Sequence, residues 1–243
     1  MKLTGIIGYG EIGKSIEKLY VDFPDKFVIR KKDVNWADNL DGIEILNVAV
    51  PFIENFVDIV CKEIIKYSPK LTIIHSTVSP GTTKKIGELT NKLVVHSPVI
   101  GVHPNLCEGI KTFTKYVGHD KCTSGELEAI KQHFDDLELN YELIPSSQST
   151  ELAKLLSTTY YGLCIAWHGE MQKLCSQFDV DFDFINNWTE NYNKGYIALG
   201  KENVVRPVLF PPDRIGGHCV VPNTKILSEL MESEAFKLIL KYS

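Results

Sequence analysis

The first half of the chain alternates short apolar or extended runs with segments in which apolar residues recur every three to four positions. The predicted strands are bounded by glycine, proline or polar residues and lie at residues 3–8, 26–32, 43–50, 71–75, 93–96, 115–118 and 141–144. The predicted helices have the helical spacing and lie at residues 12–20, 53–67, from 84 onward, and 124–136. Because strands and helices alternate, the pattern predicts an α/β fold with a Rossmann-type, doubly wound sheet.

The second half has a different pattern, with helical spacing throughout. One long helix is predicted over residues 150–178, and its apolar positions exceed a single stripe, so we expect burial on several sides. A second helix over 182–199, an extended loop over 206–217 and a final helix over 224–242 follow. The Pro- and Ser-containing segment 145–149 is predicted to be a linker. We therefore expect an α/β domain over 1–146 and an all-helical domain with one long central helix over 147–243.

Composition narrows the functional classes. The chain has 243 residues, of which 44% are apolar and 23% charged, as in ordinary globular proteins. A net charge of −5 argues against a nucleic-acid partner, which requires basic clusters. The six cysteines show no CxxC pair, which favours reduced thiols and a cytoplasmic location. We expect neither a signal peptide nor a membrane span nor a metal site.

A glycine-rich motif joins the first predicted strand to the first helix. In this strand–turn–helix context the pattern GxGxxG predicts dinucleotide binding. Gly8 permits a tight turn, Gly10 lets the backbone approach a pyrophosphate, and Gly13 allows close helix–strand packing. The helix N-terminus supplies N–H groups to the phosphates. The predicted cofactor-binding residues of the motif are Gly8, Tyr9, Gly10, Glu11, Ile12 and Gly13.

The second predicted strand bears on the choice of cofactor. A carboxylate at Asp33 is suited to accept a hydrogen bond from the ribose 2′-hydroxyl of NAD. Arg30, with Lys31 and Lys32 beside it, is suited to the 2′-phosphate of NADP. The sequence favours NAD and leaves NADP open.

Four residues at the ends of later strands are predicted to line the nicotinamide side of the cofactor. Val50 and Pro51 follow one buried strand, and Ser76 and Thr77 follow the next. Open α/β sheets bind their ligands at the carboxyl ends of the strands.

Two further residues carry candidate chemistry. Lys154 lies in the first turns of the long helix, where Glu151 is predicted to pair with it on the same face. Cys219 ends the run Gly-Gly-His-Cys at 216–219. A thiol and a hydride acceptor in one chain indicate oxidation of an aldehyde that is held on sulfur.

Four segments, at residues 8–13, 76–83, 151–154 and 215–222, resemble the dinucleotide domain and central helical domain of the UDP-glucose/GDP-mannose dehydrogenase family. The resemblance implies an NAD(P)-dependent oxidoreductase that acts on the CH–OH group of a small-molecule substrate, a primary alcohol of a nucleotide sugar or another sugar derivative. It implies that Cys219 forms a thiohemiacetal and then a thioester, that Lys154 stabilises the oxyanion, and that Thr77 helps to hold the hydrolytic water. It also implies substrate-binding roles for Glu151, Thr158, Gly216, Gly217, His218 and Asn223.

The sequence departs from the family at three positions and ends where the family continues into a second, UDP-binding domain. Thr158 replaces an asparagine, Asn223 replaces an aspartate, and residues 104–106 replace most of a Pro-Glu-Phe-Leu segment, with Glu108 the nearest glutamate. Two alternatives therefore stay open: a single-step hydroxyacid-type dehydrogenase with Lys154 as acid/base, and a non-catalytic dinucleotide-binding protein. We also expect a homodimer formed through the long helix, whose apolar surface exceeds what one neighbour buries.

Overall fold

The computed structural model describes residues 1–243 and consists of one sheet, nine α-helices and a 3₁₀ turn at Glu202–Val204. The strands are β1 (Lys2–Ile7), β2 (Phe27–Asp33), β3 (Trp36–Ala37), β4 (Ile45–Val48), β5 (Leu71–Ile74), β6 (Val94–His96), β7 (Lys115–Gly118) and β8 (Tyr141–Ile144). The helices are α1 (Glu11–Val21), α2 (Phe56–Tyr67), α3 (Thr82–Thr90), α4 (Leu106–Thr112), α5 (Ser124–Asp136), α6 (Ser147–Gln177), α7 (Phe182–Ala198), α8 (Val220–Leu230) and α9 (Glu234–Lys241).

The eight strands form a single mixed sheet in the order β3-β2-β1-β4-β5-β6-β7-β8. Strands β2, β1, β4, β5 and β6 are parallel, β3 is antiparallel to β2, and β7 is antiparallel to β6. The direction in which successive strands are added to the sheet reverses at β1, which makes this position a topological switch point. The carboxyl ends of the five parallel strands lie along one edge of the sheet, on either side of this point. The predicted Rossmann-type α/β class is confirmed.

Helices cover both faces of the sheet, which explains why the strands are almost continuously apolar. On β1, Ile6 packs into the same core cluster as Ile16 of α1, and the next residue, Ile7, packs into the cluster that contains Val60 and Ile64 of α2. Successive side chains of a strand point to opposite faces, so both must be hydrophobic when both faces are covered.

The predicted linker at 145–149 is wrong, because α6 already begins at Ser147. The serines of this segment form hydrogen bonds at the start of the helix. The Ser147 hydroxyl donates to Asp120 Oδ2 (2.6 Å), and the Ser149 N–H donates to Ser146 Oγ (3.2 Å). Serine at a helix start satisfies polar groups that the helix leaves unpaired, so a polar run here marks a helix N-terminus.

The single final helix predicted over 224–242 is also wrong. The chain forms two helices, α8 and α9, separated by residues 231–233. Met231 is extended (φ −159°), and the Ser233 hydroxyl caps α9 by accepting from Ala235 N–H (3.3 Å). A capping serine starts a new helix here, although the apolar spacing continues across it.

The chain divides into two compact units, Met1–Lys154 and Leu155–Ser243. The first unit contains the sheet and the first turns of α6, while the second contains the rest of α6 and the later helices. The predicted boundary between residues 146 and 147 stays a prediction; it coincides with the start of α6.

The second unit has its own core, and two glycines of α6 make it possible. A Cβ added to Gly162 would lie 2.3 Å from Val220 Cγ1, and one added to Gly169 would lie 2.5 Å from the Tyr242 ring. Both distances are far too short for a side chain, so α8 and α9 could not approach α6 this closely if either glycine were replaced.

The prediction that α6 is buried on several sides is wrong for the single chain. Leu156, Trp167 and Leu174 are each about half exposed (50%, 51% and 50%). Their exposure leaves an apolar face on this helix. None of the nine helices combines the length and apolar character that crossing a membrane requires.

Candidate dinucleotide site and catalytic residues

The three glycines of the 8–13 turn each have a distinct structural reason. Gly8 has φ +82°, and a Cβ there would lie 2.7 Å from the backbone carbon of Ala49. A Cβ on Gly13 would lie 2.1 Å from the carbonyl oxygen of Gly8. At Gly10, by contrast, a Cβ would meet no atom within 4 Å.

The open space at Gly10 lies at the start of α1. Gly10 is the N-cap residue of this helix, and no side chain caps its first N–H groups. A helix N-terminus with uncapped N–H groups attracts anions. Open space beside such donors fits a pyrophosphate, so the turn passes the geometric test for a dinucleotide.

The residues predicted for the nicotinamide side lie after β4 and β5 at the same edge of the sheet. The Ser76 hydroxyl donates to Val50 O (2.6 Å) and so ties the two loops together. Ser76 is buried, Val50 and Thr77 are half-buried, and Pro51 is exposed. Thr77 is therefore the more accessible polar side chain of this pair of loops.

At the end of β2 the basic run is largely paired inside the chain. The Lys31 ammonium lies 2.8 Å from Glu17 Oε1, and the Lys32 ammonium lies 2.7 Å from Glu63 Oε1. Asp33 is the last residue of the strand, and its carboxylate accepts from Val34 N–H (2.9 Å). The strand end therefore presents a carboxylate where a ribose would lie.

Glu151 has a role that the sequence analysis missed. Its side chain has no exposed surface, and its carboxylate accepts from Gly81 N–H (2.5 Å) and Thr83 N–H (2.8 Å). Burial raises the pKa of Glu151, and the hydrogen bonds from Thr83 and Gly81 act against this rise. Glu151 therefore caps α3 and joins it to α6, and its predicted substrate-binding role stays a prediction.

His96 fixes the same part of α6 to the sheet. Its Nδ1 lies 2.8 Å from Thr150 Oγ1 and its Nε2 lies 3.2 Å from Ser76 O. Burial, together with the nearby Lys115 and Lys154 cations, lowers the pKa of His96 to about 3. The ring is therefore neutral near pH 7, and the Thr150 hydroxyl that contacts it donates to Ser147 O (2.9 Å).

Lys154 lies one helical turn after Thr150, so these contacts also orient Lys154. The close approach depends on Gly118, where a Cβ would lie 2.2 Å from Thr150 Oγ1. Lys154 itself is half-buried in the first unit.

A buried lysine, also missed in the sequence analysis, lies in this region. Lys115 is 3% exposed and donates to Ser97 O (2.6 Å) and Pro98 O (2.9 Å). Burial lowers its pKa to about 7, with the Lys154 cation acting in the same direction. The Ser97 carbonyl also lies 2.9 Å from Nδ1 of the buried His75. Lys115 and His75 therefore share one carbonyl oxygen beside the carboxyl ends of β5 and β6.

In the second unit, Cys219 is half-buried and occupies the N-cap position of α8. Gly217 before it has φ +82°, and a Cβ on Gly216 or Gly217 would meet nothing within 4 Å. His218 is exposed, while Asn223 is buried and its N–H donates to Cys219 O (3.0 Å). The glycines thus form an open turn that leads into the helix at the cysteine.

The remaining predicted residues lie as follows. Thr158 is half-buried in α6, and Glu11, the first residue of α1, contacts His103 Nδ1 through its carboxylate. Glu108 lies in the first turn of α4 and lines a groove between α4 and α1. No group of three or more His, Cys, Asp or Glu side chains is arranged to hold a metal ion.

The sheet order and the glycine turn define a Rossmann-type α/β unit, which is followed along the chain by a helical unit. No known family model matches the chain. The chain is 27% identical to UDP-N-acetyl-D-mannosamine dehydrogenase of Methanococcus maripaludis over 152 aligned residues. The aligned segment covers 62% of this chain and 33% of that protein. The chain thus spans about a third of the length of the curated relatives it matches.

Solved structures with the same fold cover nearly the whole chain. UDP-D-ManNAc dehydrogenase of Pyrococcus horikoshii aligns with a TM-score of 0.79 at 15% identity, over 99% of this chain and 68% of that chain. The 3-hydroxyisobutyrate dehydrogenase of Mycobacterium tuberculosis aligns with a TM-score of 0.71 at 12% identity, over 99% and 92% of the two chains. The structures show the shared fold. The curated relatives, together with the four motifs, support the resemblance to the UDP-glucose/GDP-mannose dehydrogenase family.

Proposed function

We propose that this chain binds NAD at residues 8–13 and acts as an NAD-dependent dehydrogenase on the primary alcohol of a sugar derivative, in particular a nucleotide sugar. The observation that carries the proposal is the geometry of the glycine turn: tight at Gly8 and Gly13, and open at Gly10 above an uncapped helix N-terminus. The names of the curated relatives support the substrate class.

Three residues would perform the chemistry. When bound, the nicotinamide supplies the hydride acceptor. The first oxidation moves a hydride from the substrate carbon and releases the hydroxyl proton, which gives an aldehyde. The Cys219 thiolate then adds to the aldehyde carbon, and the Lys154 ammonium stabilises the resulting oxyanion.

A second hydride leaves the same carbon as the thiohemiacetal becomes a thioester. Water held by Thr77 adds to the thioester carbon, and the carbon–sulfur bond breaks to release the acid and return the thiol. Each alcohol therefore gives up two hydrides, one to each of two cofactor molecules, and takes up one water. The half-buried position of Thr77 in the loop after β5 suits this role.

A single-step hydroxyacid-type dehydrogenase is the second candidate. The chain spans 92% of the M. tuberculosis 3-hydroxyisobutyrate dehydrogenase, against 68% of the P. horikoshii sugar dehydrogenase. In this candidate Lys154 is the acid/base that moves the proton of the hydroxyl, and Cys219 has no chemical role.

The assembly we propose is a homodimer formed through α6. Its half-exposed Leu156, Trp167 and Leu174 are large apolar side chains that a partner copy would cover.

NAD titration into the wild-type chain and a Gly10→Val variant tests the proposal. The valine Cβ would enter the space for the pyrophosphate and meet no protein atom within 4 Å, so we expect a folded variant with NAD affinity at least about tenfold weaker. Gly125→Val is the matched control, because Gly125 also lies in open space near a helix start, in α5. A folded Gly10→Val chain with unchanged NAD affinity would overturn the assignment.

A further inference from the structure

The basic run at the end of β2 is divided between the two faces of the sheet. Lys31 pairs with Glu17 of α1, whereas Lys32 pairs with Glu63 of α2. Side chains alternate along a strand, so Lys31 lies on the same face as Asp33. Only one of the two paired lysines therefore shares a face with the predicted ribose-binding carboxylate.

Lys31 lies beside the glycine turn. The Gly8 N–H donates to Lys32 O (3.0 Å), which places the end of β2 level with the turn. The Lys31 ammonium is 4.8 Å from the ring centroid of Tyr9, the residue between Gly8 and Gly10. A cation here is within side-chain reach of the ribose end of a dinucleotide bound at the turn.

Glu17 pairs with this cation through one carboxylate oxygen and accepts a hydrogen bond from Tyr9 through the other. Oε1 accepts from the Lys31 ammonium at 2.8 Å, and Oε2 accepts from the Tyr9 hydroxyl. Burial alone would raise the pKa of Glu17, but the hydrogen bonds from Lys31 and Tyr9 outweigh burial and lower it. The hydrogen bond to Glu17 raises the pKa of Lys31. Both groups are therefore charged at neutral pH.

We infer that Glu17 is a specificity-determining residue that selects NAD over NADP by holding Lys31 in an ion pair beside the glycine turn. The inference rests on the proposed cofactor site. NADP differs by a 2′-phosphate, a group that requires positive charge at the end of the second strand. The Asp33 carboxylate repels that phosphate, and Glu17 neutralises the nearest cation on the same face.

Binding titrations of NAD and NADP to the wild-type chain, Glu17→Gln and Glu63→Gln test the inference. We expect the wild-type chain to bind NAD more tightly. Glu17→Gln should tighten NADP binding about tenfold, the contribution of one charge-assisted hydrogen bond, and should change NAD binding by less than about twofold. Glu63→Gln removes the same charge and releases Lys32 on the other face, so it should leave the ratio of the two affinities unchanged.

The double variant Glu17→Gln/Lys31→Met identifies the cation. The gain in NADP affinity should disappear in it, and Glu17→Ala should reproduce the gain if glutamine destabilises the fold. The inference would be overturned by an unchanged NADP affinity in Glu17→Gln, by an equal gain in NADP affinity in Glu63→Gln, or by a gain that persists in the double variant. In each of these cases, NAD binding by the wild-type chain would still support the cofactor site. A wild-type chain that binds neither nucleotide would overturn both.

Discussion

Replacing Lys115 with methionine should change how the stability of the fold depends on pH. The Lys115 ammonium is buried, its hydrogen-bond acceptors are the uncharged carbonyls of Ser97 and Pro98, and its pKa is lowered to about 7 by burial and by Lys154. In the unfolded chain the pKa returns to its ordinary value of 10.5. Methionine has a similar length and no charge, so the variant removes this titration.

The sign follows from proton binding. Between pH 7 and 10.5 the unfolded chain holds a proton at Lys115 that the folded chain has released, so the folded state gains stability as pH rises. The free-energy cost of burying the Lys115 charge is fully present below about pH 7 and absent above about pH 10.5. Between pH 7 and 9 it falls by about 2 kcal/mol, because each unit of pKa difference corresponds to about 1.4 kcal/mol.

Urea unfolding of the wild-type chain and Lys115→Met at pH 7 and pH 9 measures the effect. The free energy of unfolding of the wild type, minus that of the variant, should increase by about 2 kcal/mol between the two pH values. Other titrating groups largely cancel in this difference. Lys70→Met is the control, because the Lys70 side chain is 79% exposed, and its difference should stay constant. A constant difference for Lys115 would refute the argument that its charge is buried.

Three further predictions concern packing, capping and assembly. Gly13→Ala should destabilise the chain by roughly 1–3 kcal/mol in thermal unfolding, since its Cβ meets a backbone oxygen at 2.1 Å, whereas Gly10→Ala should change stability little. Glu151→Ala should cost about 2–4 kcal/mol in urea unfolding, because two N–H groups at the start of α3 lose their acceptor, and an equal loss in the exposed Glu88→Ala would contradict this. The wild-type chain should sediment as a dimer at micromolar concentration and Leu156→Asp as a folded monomer; a monomeric wild type would contradict the proposed assembly.

Local sequence signals predicted the elements that carry their own patterns. Residues 115–118, 124–136 and 141–144 have the predicted bounds, and α5 has a capping box formed by Thr123 and Glu126. The glycine turn was predictable for the same reason, because a turn that needs positive φ angles and close backbone contacts requires glycine at fixed positions.

The missed features depend on packing and on contacts between separate segments of the chain. Helix α4 is only seven residues long and packs where a Cβ on Gly109 would lie 2.5 Å from Gly101 Cα, which no local pattern indicates. Glu151 pairs with backbone groups near residue 81, and Lys115 with carbonyls near residue 97. Polar residues at the ends of buried strands, such as His96, were the only signal of this region.

The most direct test of the proposed chemistry is the number of reduced cofactors formed for each substrate molecule oxidised. With a UDP- or GDP-sugar that supports turnover, we expect two reduced cofactors per substrate, and at most one in Cys219→Ser. The half-buried Cys61→Ser is the control and should retain two. Lys154→Ala should lose about 2–4 kcal/mol of transition-state stabilisation. One reduced cofactor per substrate in the wild type, with Cys219→Ser unchanged, would contradict the nucleophilic role of Cys219.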